Sequence, residues 1–167
     1  LSRLGLEVGK MVVVDGVFSM EGSIVNLPEV ARLCKAYQAV LVIDDAHSVG
    51  VLGRHGRGTA EHFDLENVVD IYMGTFSKSF ASMGGFIATD FDIIDYVKHH
   101  ARPLMFSASM APSTVAAVLA SLDIIEQEPE RRETLWRNAD HLRNGLKALG
   151  FNTGRSATPV IPVILGD

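Results

Sequence analysis

One cysteine in 167 residues leaves no partner for an internal disulfide. Cys34 falls on the apolar face of an expected helix, which marks it as a buried, inert thiol in a reducing compartment, by default the cytoplasm. Long apolar runs are missing as well. None nears the roughly 18 to 20 residues of a membrane span, and the first residues lack the layout of a signal peptide. Positive charge is scarce: the formal net charge is −5 and no basic run interrupts it, which argues against a nucleic-acid surface. Internal repeats and low-complexity tracts are also absent. What is present, 47% hydrophobic and 21% charged, is enough for one sizeable core. The chain opens without a methionine and stops after Pro162-Val163-Ile164-Leu165-Gly166-Asp167, so it reads as a segment of a longer polypeptide.

Short apolar runs at Met11–Val14 and Val40–Ile43 have the continuous character of buried parallel strands. Between them Pro28 suits a first helical turn, and Val30, Leu33, Cys34 and Tyr37 recur at i, i+3, i+4 and i+7. Strand, helix and strand make a βαβ unit. Asn67–Met73 and Gly85–Ala88 are expected as further strands, and Val160–Leu165 as the opening of another. Helices are expected from Thr89 or Asp90 to about Ala101 with Pro103 as the stop, around Val115–Leu122, and around Leu135–Leu149 with Gly150 as terminator. The chain is therefore α/β. In open α/β sheets ligands bind beyond the carboxyl ends of the strands, where Asp15, Asp44 and Gly74 lie.

Two segments there carry chemistry. Ile43-Asp44-Asp45-Ala46-His47-Ser48 supplies carboxylates and an imidazole, and Gly74-Thr75-Phe76-Ser77-Lys78-Ser79 supplies a lysine among short hydroxyls. A partly buried lysine amine can lose its proton and form a Schiff base, hydroxyls and backbone N–H groups hold a phosphate, and an acid pairs with a pyridinium nitrogen. Together these are what pyridoxal phosphate (PLP) asks of a protein. Gly50, Gly53, Gly56 and Gly58 do not have dinucleotide or P-loop spacing and read as a bent loop near the site. His55, His62, His99 and His100 are scattered, and no HExxH or paired-cysteine spacing supports a metal site. Glu130, Arg131, Arg132 and Glu133 read as a solvated helix start.

Four motifs in order, Asp15-Gly16-Val17-Phe18-Ser19-Met20-Glu21-Gly22, Asp44–Gly50, Gly56-Arg57-Gly58 and Gly74–Lys78, resemble the α-oxoamine synthases over nearly the whole chain. That family consists of fold-type I PLP enzymes that join an amino acid to an acyl-CoA with loss of carbon dioxide. The resemblance implies an aspartate aminotransferase-like large domain with a mainly parallel sheet flanked by helices. Residues 1–126 would be its C-terminal part, and 127–167 the long helix and first strand of a small C-terminal domain. Ser77 before the lysine and the run Arg102–Ser109 resemble the branch that uses L-serine and a long-chain acyl-CoA. Ile161–Asp167 looks equally like the branch that uses glycine and acetyl-CoA, and alanine with a pimeloyl thioester is a further alternative.

By the same resemblance, Lys78 forms the Schiff base and later serves as base at the substrate α-carbon. Asp44 keeps the ring nitrogen protonated, while His47 hydrogen-bonds the ring hydroxyl oxygen or the reacting carbonyl. Ser19 contacts the ring hydroxyl, and Thr75 and Ser77 are phosphate ligands. Ser107, with the Ala108 amide, reaches the phosphate of a neighbouring subunit in a homodimer; an ordinary cap ahead of Pro112 is the competing reading. Asp45 is expected to point elsewhere. The family's ring-stacking histidine and carboxylate-binding arginine would lie outside this chain, which alone should not turn over.

Overall fold

The computed structural model describes residues 1–5 and 7–166. Its sheet has the order β1 (Lys10–Asp15), β2 (Ala39–Asp44), β3 (Ile71–Thr75) and β4 (Gly85–Ala88). The first three strands run parallel; β4 lies antiparallel on β3. The stretch 76–84 is too short for the crossover that a parallel partner requires, so the chain turns back. Register pairs Asp15 with Asp44 and Asp44 with Met73, which sets both acids at the same end of the sheet.

The crossover helix α1 (Leu27–Tyr37) starts where Asn26 Oδ1 accepts the Glu29 N–H at 3.3 Å. Pro28 sits in its first turn, and Gln38, left-handed at φ 51°, ends it. Its apolar side delivers Leu27 and Cys34 onto Leu41 and Ile43, and Val25, Ala60 and Val69 complete the buried cluster. Each large side chain so buried contributes about 1.5 to 3 kcal/mol. Cys34 is buried as expected, and burial pushes its thiol pKa up. The opposite face of β1 has no such cover: Met11 and Val13 are 60% and 65% exposed.

The remaining helices are α2 (Thr59–His62), α3 (Phe91–His100), α4 (Arg102–Met105), α5 (Pro112–Gln127) and α6 (Pro129–Ala148). Three expectations need correction. The third strand begins at Ile71, not Asn67, because Glu66–Val68 forms a 3-10 turn. Pro103 does not stop a helix but sits in the first turn of α4, after Ala101 has already turned extended. Val160–Leu165 is not a strand; it makes one isolated bridge, between Ile164 and Asn152. Instead the C-terminal segment folds back on the loop after β1. Ala157 N and Thr158 Oγ1 both donate to the Gly22 carbonyl, at 3.0 and 2.9 Å. Arg143 Nη2 of α6 donates to the Thr158 carbonyl at 2.5 Å. Asp167, the end of the last motif segment, lies outside the described residues. Among the described residues no helix is long and apolar enough to cross a membrane.

Candidate active site

The two chemical segments leave the sheet side by side, from β2 and β3, and they differ in how they are held. After β2 the chain makes a tight turn in which Asp45 O accepts from both Ser48 N and Val49 N, each at 2.9 Å. Asp44 Oδ1 accepts the Ala46 N–H at 2.9 Å, and its second oxygen has no partner among the described residues. The neighbouring Asp45 points inward, 1% exposed and bonded to Thr59. His47 is half-buried in the turn. Burial and then the charge of Lys78 push its pKa down, while Asp15 and Asp44 pull it up; the net direction is down. His47 therefore lies within electrostatic reach of Lys78 and of both acids.

After β3 the loop 76–84 is closed by Phe76 N to Gly84 O at 2.9 Å and Ser82 N to Phe76 O at 2.7 Å. Phe76 also stacks on Phe86 and meets Phe80 edge-on. Inside this frame Ala81 is left-handed at φ 48°, a conformation that L-residues adopt only when surroundings enforce it, and its N–H returns to Lys78 O at 2.9 Å. Lys78 itself is exposed, which corrects the expectation of a partly buried amine, and it has no ion-pair partner among the described residues. Lys78 and His47 share a cleft of about 320 Å³.

The other expected site residues are less closely gathered. Ser19 is exposed in the turn after β1, and Ser77 is exposed beside Lys78. Thr75 ends β3 with its Oγ1 buried and unpaired. Asp44, Ser19, Thr75 and Ser77 do not line the cleft. Ser107 lies apart, its hydroxyl turned back to Leu104 O at 3.3 Å; the position ahead of α5 is taken by Ala111, so Ser107 is not a cap.

Sequence reasoning missed several contributors. Ser79, grouped with the phosphate hydroxyls, donates to Val49 O at 2.7 Å and so ties the lysine loop to the histidine turn. Thr158, Pro159 and Val160 form a wall of the cleft although they are distant in sequence. Arg132 is not solvated: it is half-buried and donates to Arg54 O at 2.6 Å, and Trp136 Nε1 donates to Val51 O at 3.0 Å. Together they anchor α6 to the loop containing Gly50, Gly53, Gly56 and Gly58. That loop is bent as expected, with φ between +77° and +104° at all four glycines. Only Trp136, a large aromatic at the helix surface, offered a signal in advance.

Residues 5–167 match the family model for aminotransferase class I and II. A serine palmitoyltransferase of Sphingobacterium spiritivorum is 53% identical over 165 residues, 99% of this chain and 41% of that protein. An 8-amino-7-oxononanoate synthase of Thermosipho melanesiensis is 47% identical over 95% of this chain and 40% of its own length. Among solved structures, serine palmitoyltransferase from S. paucimobilis with a bound PLP–myriocin aldimine aligns at a TM-score of 0.93 and 39% identity, covering 99% of this chain and 44% of that one. The chain thus spans about 40% of the length of the curated relatives it matches.

Proposed function

The chain belongs to the aminotransferase class I and II family, and from that premise we propose that the whole protein is a PLP-dependent C-acyltransferase of the α-oxoamine synthase type. Its reaction is the condensation of L-serine with a long-chain acyl-CoA, releasing CoA and carbon dioxide and giving a 3-ketosphinganine-type product. The observation that carries this is the exposed Lys78, whose amine has no partner among the described residues, sharing a cleft with His47, on which Asp15 and Asp44 act by charge.

The residues present fit the cofactor. Among the described residues Thr75 Oγ1 is buried without a partner, one Asp44 carboxylate oxygen has none, and neither has the Lys78 amine. Bound PLP supplies an electron sink for a carbanion at the substrate α-carbon. Lys78 Nζ would hold the cofactor through its aldehyde and, as a free amine, would be the base placed for the substrate α-proton. Asp44 holds a proton at the ring nitrogen. His47, kept toward its neutral form, hydrogen-bonds the ring hydroxyl oxygen or the reacting carbonyl. Ser19 meets the ring hydroxyl, and Thr75 and Ser77 take the phosphate. Holding the bond to be broken perpendicular to the ring is a positioning effect, and the anchored loops on either side of the cleft serve it.

The same reading makes the protein a cytoplasmic homodimer of sphingolipid biosynthesis, with Ser107 reaching the phosphate of the neighbouring subunit. In support, Ser107 sits in an exposed apolar stretch in which Phe106 is 80% exposed. Residues 1–126 then belong to the large domain and 127–167 to the small one. A second reading, 8-amino-7-oxononanoate synthase, draws on the relative of that name at 47% identity, and glycine C-acetyltransferase uses the same chemistry on a third amino acid.

The test uses the whole protein with PLP in deuterated water. L-Serine, glycine and L-alanine are each supplied, and deuterium at the α-carbon is followed by mass spectrometry. Serine should exchange fastest, and adding a long-chain acyl-CoA should release CoA, carbon dioxide and an amino ketone in equal amounts. Fastest exchange of alanine or glycine would move the protein to a sister activity. Transamination without carbon dioxide would overturn the acyltransferase reading altogether.

A further inference from the structure

The most deeply buried carboxylate at the carboxyl edge of the sheet is not the one given to the cofactor. Asp45 is 1% exposed, and its neighbours Thr59 and Ser48 are both fully buried. Asp45 Oδ2 accepts the Thr59 N–H at 3.1 Å, and Oδ1 lies 2.6 Å from Thr59 Oγ1. Thr59 Oγ1 in turn lies 2.9 Å from Ser48 Oγ. A hydroxyl has a single proton, so Thr59, giving its own to the acid, takes one from Ser48. Burial pushes the Asp45 pKa up, against the hydrogen bonds from the Thr59 N–H and hydroxyl that hold it down. An acid so placed costs stability unless its partners are retained. An apolar side chain would fill the volume without that cost.

The surrounding backbone is shaped around this relay. A Cβ on Gly16 would collide with Thr59 Oγ1 and Asp45 Oδ1, and one on Gly58 with Asp45 Oδ2. Gly58 is also left-handed at φ 104°. Three segments therefore converge on one carboxylate: the loop after β1, the turn after β2, and the start of α2. The backbone of the same residue makes further connections. Its N–H donates to Met73 O on β3 at 2.8 Å, and its carbonyl closes the turn through Ser48 N and Val49 N. Asp44 precedes this residue directly, and His47 rides inside the turn that it closes.

We infer that Asp45 is a positioning residue. Through Thr59 and Ser48 it fixes the turn 44–49, and so sets the direction in which the Asp44 carboxylate and the His47 imidazole are presented beside Lys78. The identity of what they are presented to rests on the PLP reading; the locking of the turn does not.

The experiment compares Asp45→Asn, Thr59→Val and Thr59→Ser in the whole protein. Asparagine keeps the shape but sets an NH2 group, or a single shared oxygen, against two donors on Thr59. Hydrogen exchange is measured first, without PLP. The Ser48 and Val49 amides should exchange at least about tenfold faster in Asp45→Asn and Thr59→Val, with β1 and α1 unchanged, while Thr59→Ser should behave as the wild type. With PLP and substrates, the first two variants should show a displaced visible cofactor band and a lower kcat at nearly constant KM, and Thr59→Ser should restore both. If Asp45→Asn does not fold, Thr59→Val and its serine rescue decide. Unchanged exchange in the turn, or acceleration spread over β1 and α1 as well, would reduce Asp45 to a core residue and overturn the inference. Failure of the wild type to bind PLP would sink the functional reading instead, and the exchange data would still judge the turn.

Discussion

The turn after β2 and the loop after β3 stand side by side, yet they are built on opposite plans. The turn is held from within: Asp45, Ser48 and Thr59 are buried, and both ends of the turn close on Asp45. The loop is held by separate contacts along its length, through Phe76, Ser79, Phe80 and Ser82, while Ser77 and Lys78 are exposed. In the proposed reaction Asp44 would gain from a fixed direction toward a ring nitrogen, and Lys78 from a free side chain on a fixed base. The contrast is between a buried polar network beneath the carboxylate and an exposed side chain at the lysine.

That division is open to direct attack in the whole protein. Lys78→Ala should abolish the visible absorbance of the bound cofactor and reduce turnover to background while leaving the melting temperature nearly unchanged; a surviving band would strip Lys78 of its role. Asp44→Asn should retain the cofactor but lower kcat/KM by at least about 10²-fold, the scale of a lost proton-holding group. Gly16→Ala acts on the rigid side alone. The added methyl meets the buried Asp45–Thr59 pair, so denaturant unfolding should show a loss of about 2 to 4 kcal/mol. Ser79→Ala removes the bond to Val49 O that joins the two segments, and should cost about 1 kcal/mol in the same assay.

The smallest effect concerns pH. His47 titrates below its ordinary value in the folded chain, so over the window under about pH 6.5 the unfolded chain binds more protons. Stability therefore rises with pH through that window, and the penalty is complete only below the folded value. His47→Gln should flatten this slope in unfolding measurements made from pH 5 to 7, a range chosen around the ordinary histidine value. An unaltered slope would place the titrating group elsewhere.

Much of the frame was legible in the residues. Continuous apolar runs located β1 and β2 to within a residue at each end, and the i, i+3, i+4, i+7 pattern located α1. The third strand slipped because Asn67 and Val68 continue the same pattern as Ile71 and Tyr72. Only tertiary bonds separate them: Tyr72 Oη donates to Glu66 O at 2.6 Å, and Asp70 Oδ2 accepts the Leu41 N–H at 2.7 Å. Val160–Leu165 has strand composition without a neighbouring strand to pair with, so composition alone misled. At the site, local motifs marked Lys78, Asp44 and His47. The wall made by Thr158–Val160 and the clamp of Arg132 and Trp136 depend on contacts spanning up to 136 positions in sequence, which no local pattern encodes.

One attachment has a mechanical consequence. Arg143, on α6, grips the Thr158 carbonyl, and Thr158 grips Gly22 in the loop that carries Ser19. The helix, the cleft wall and that loop are thus linked in series by polar contacts. Loss of the Arg143 contact would therefore loosen Thr158 in the cleft wall and, through it, the loop at Gly22.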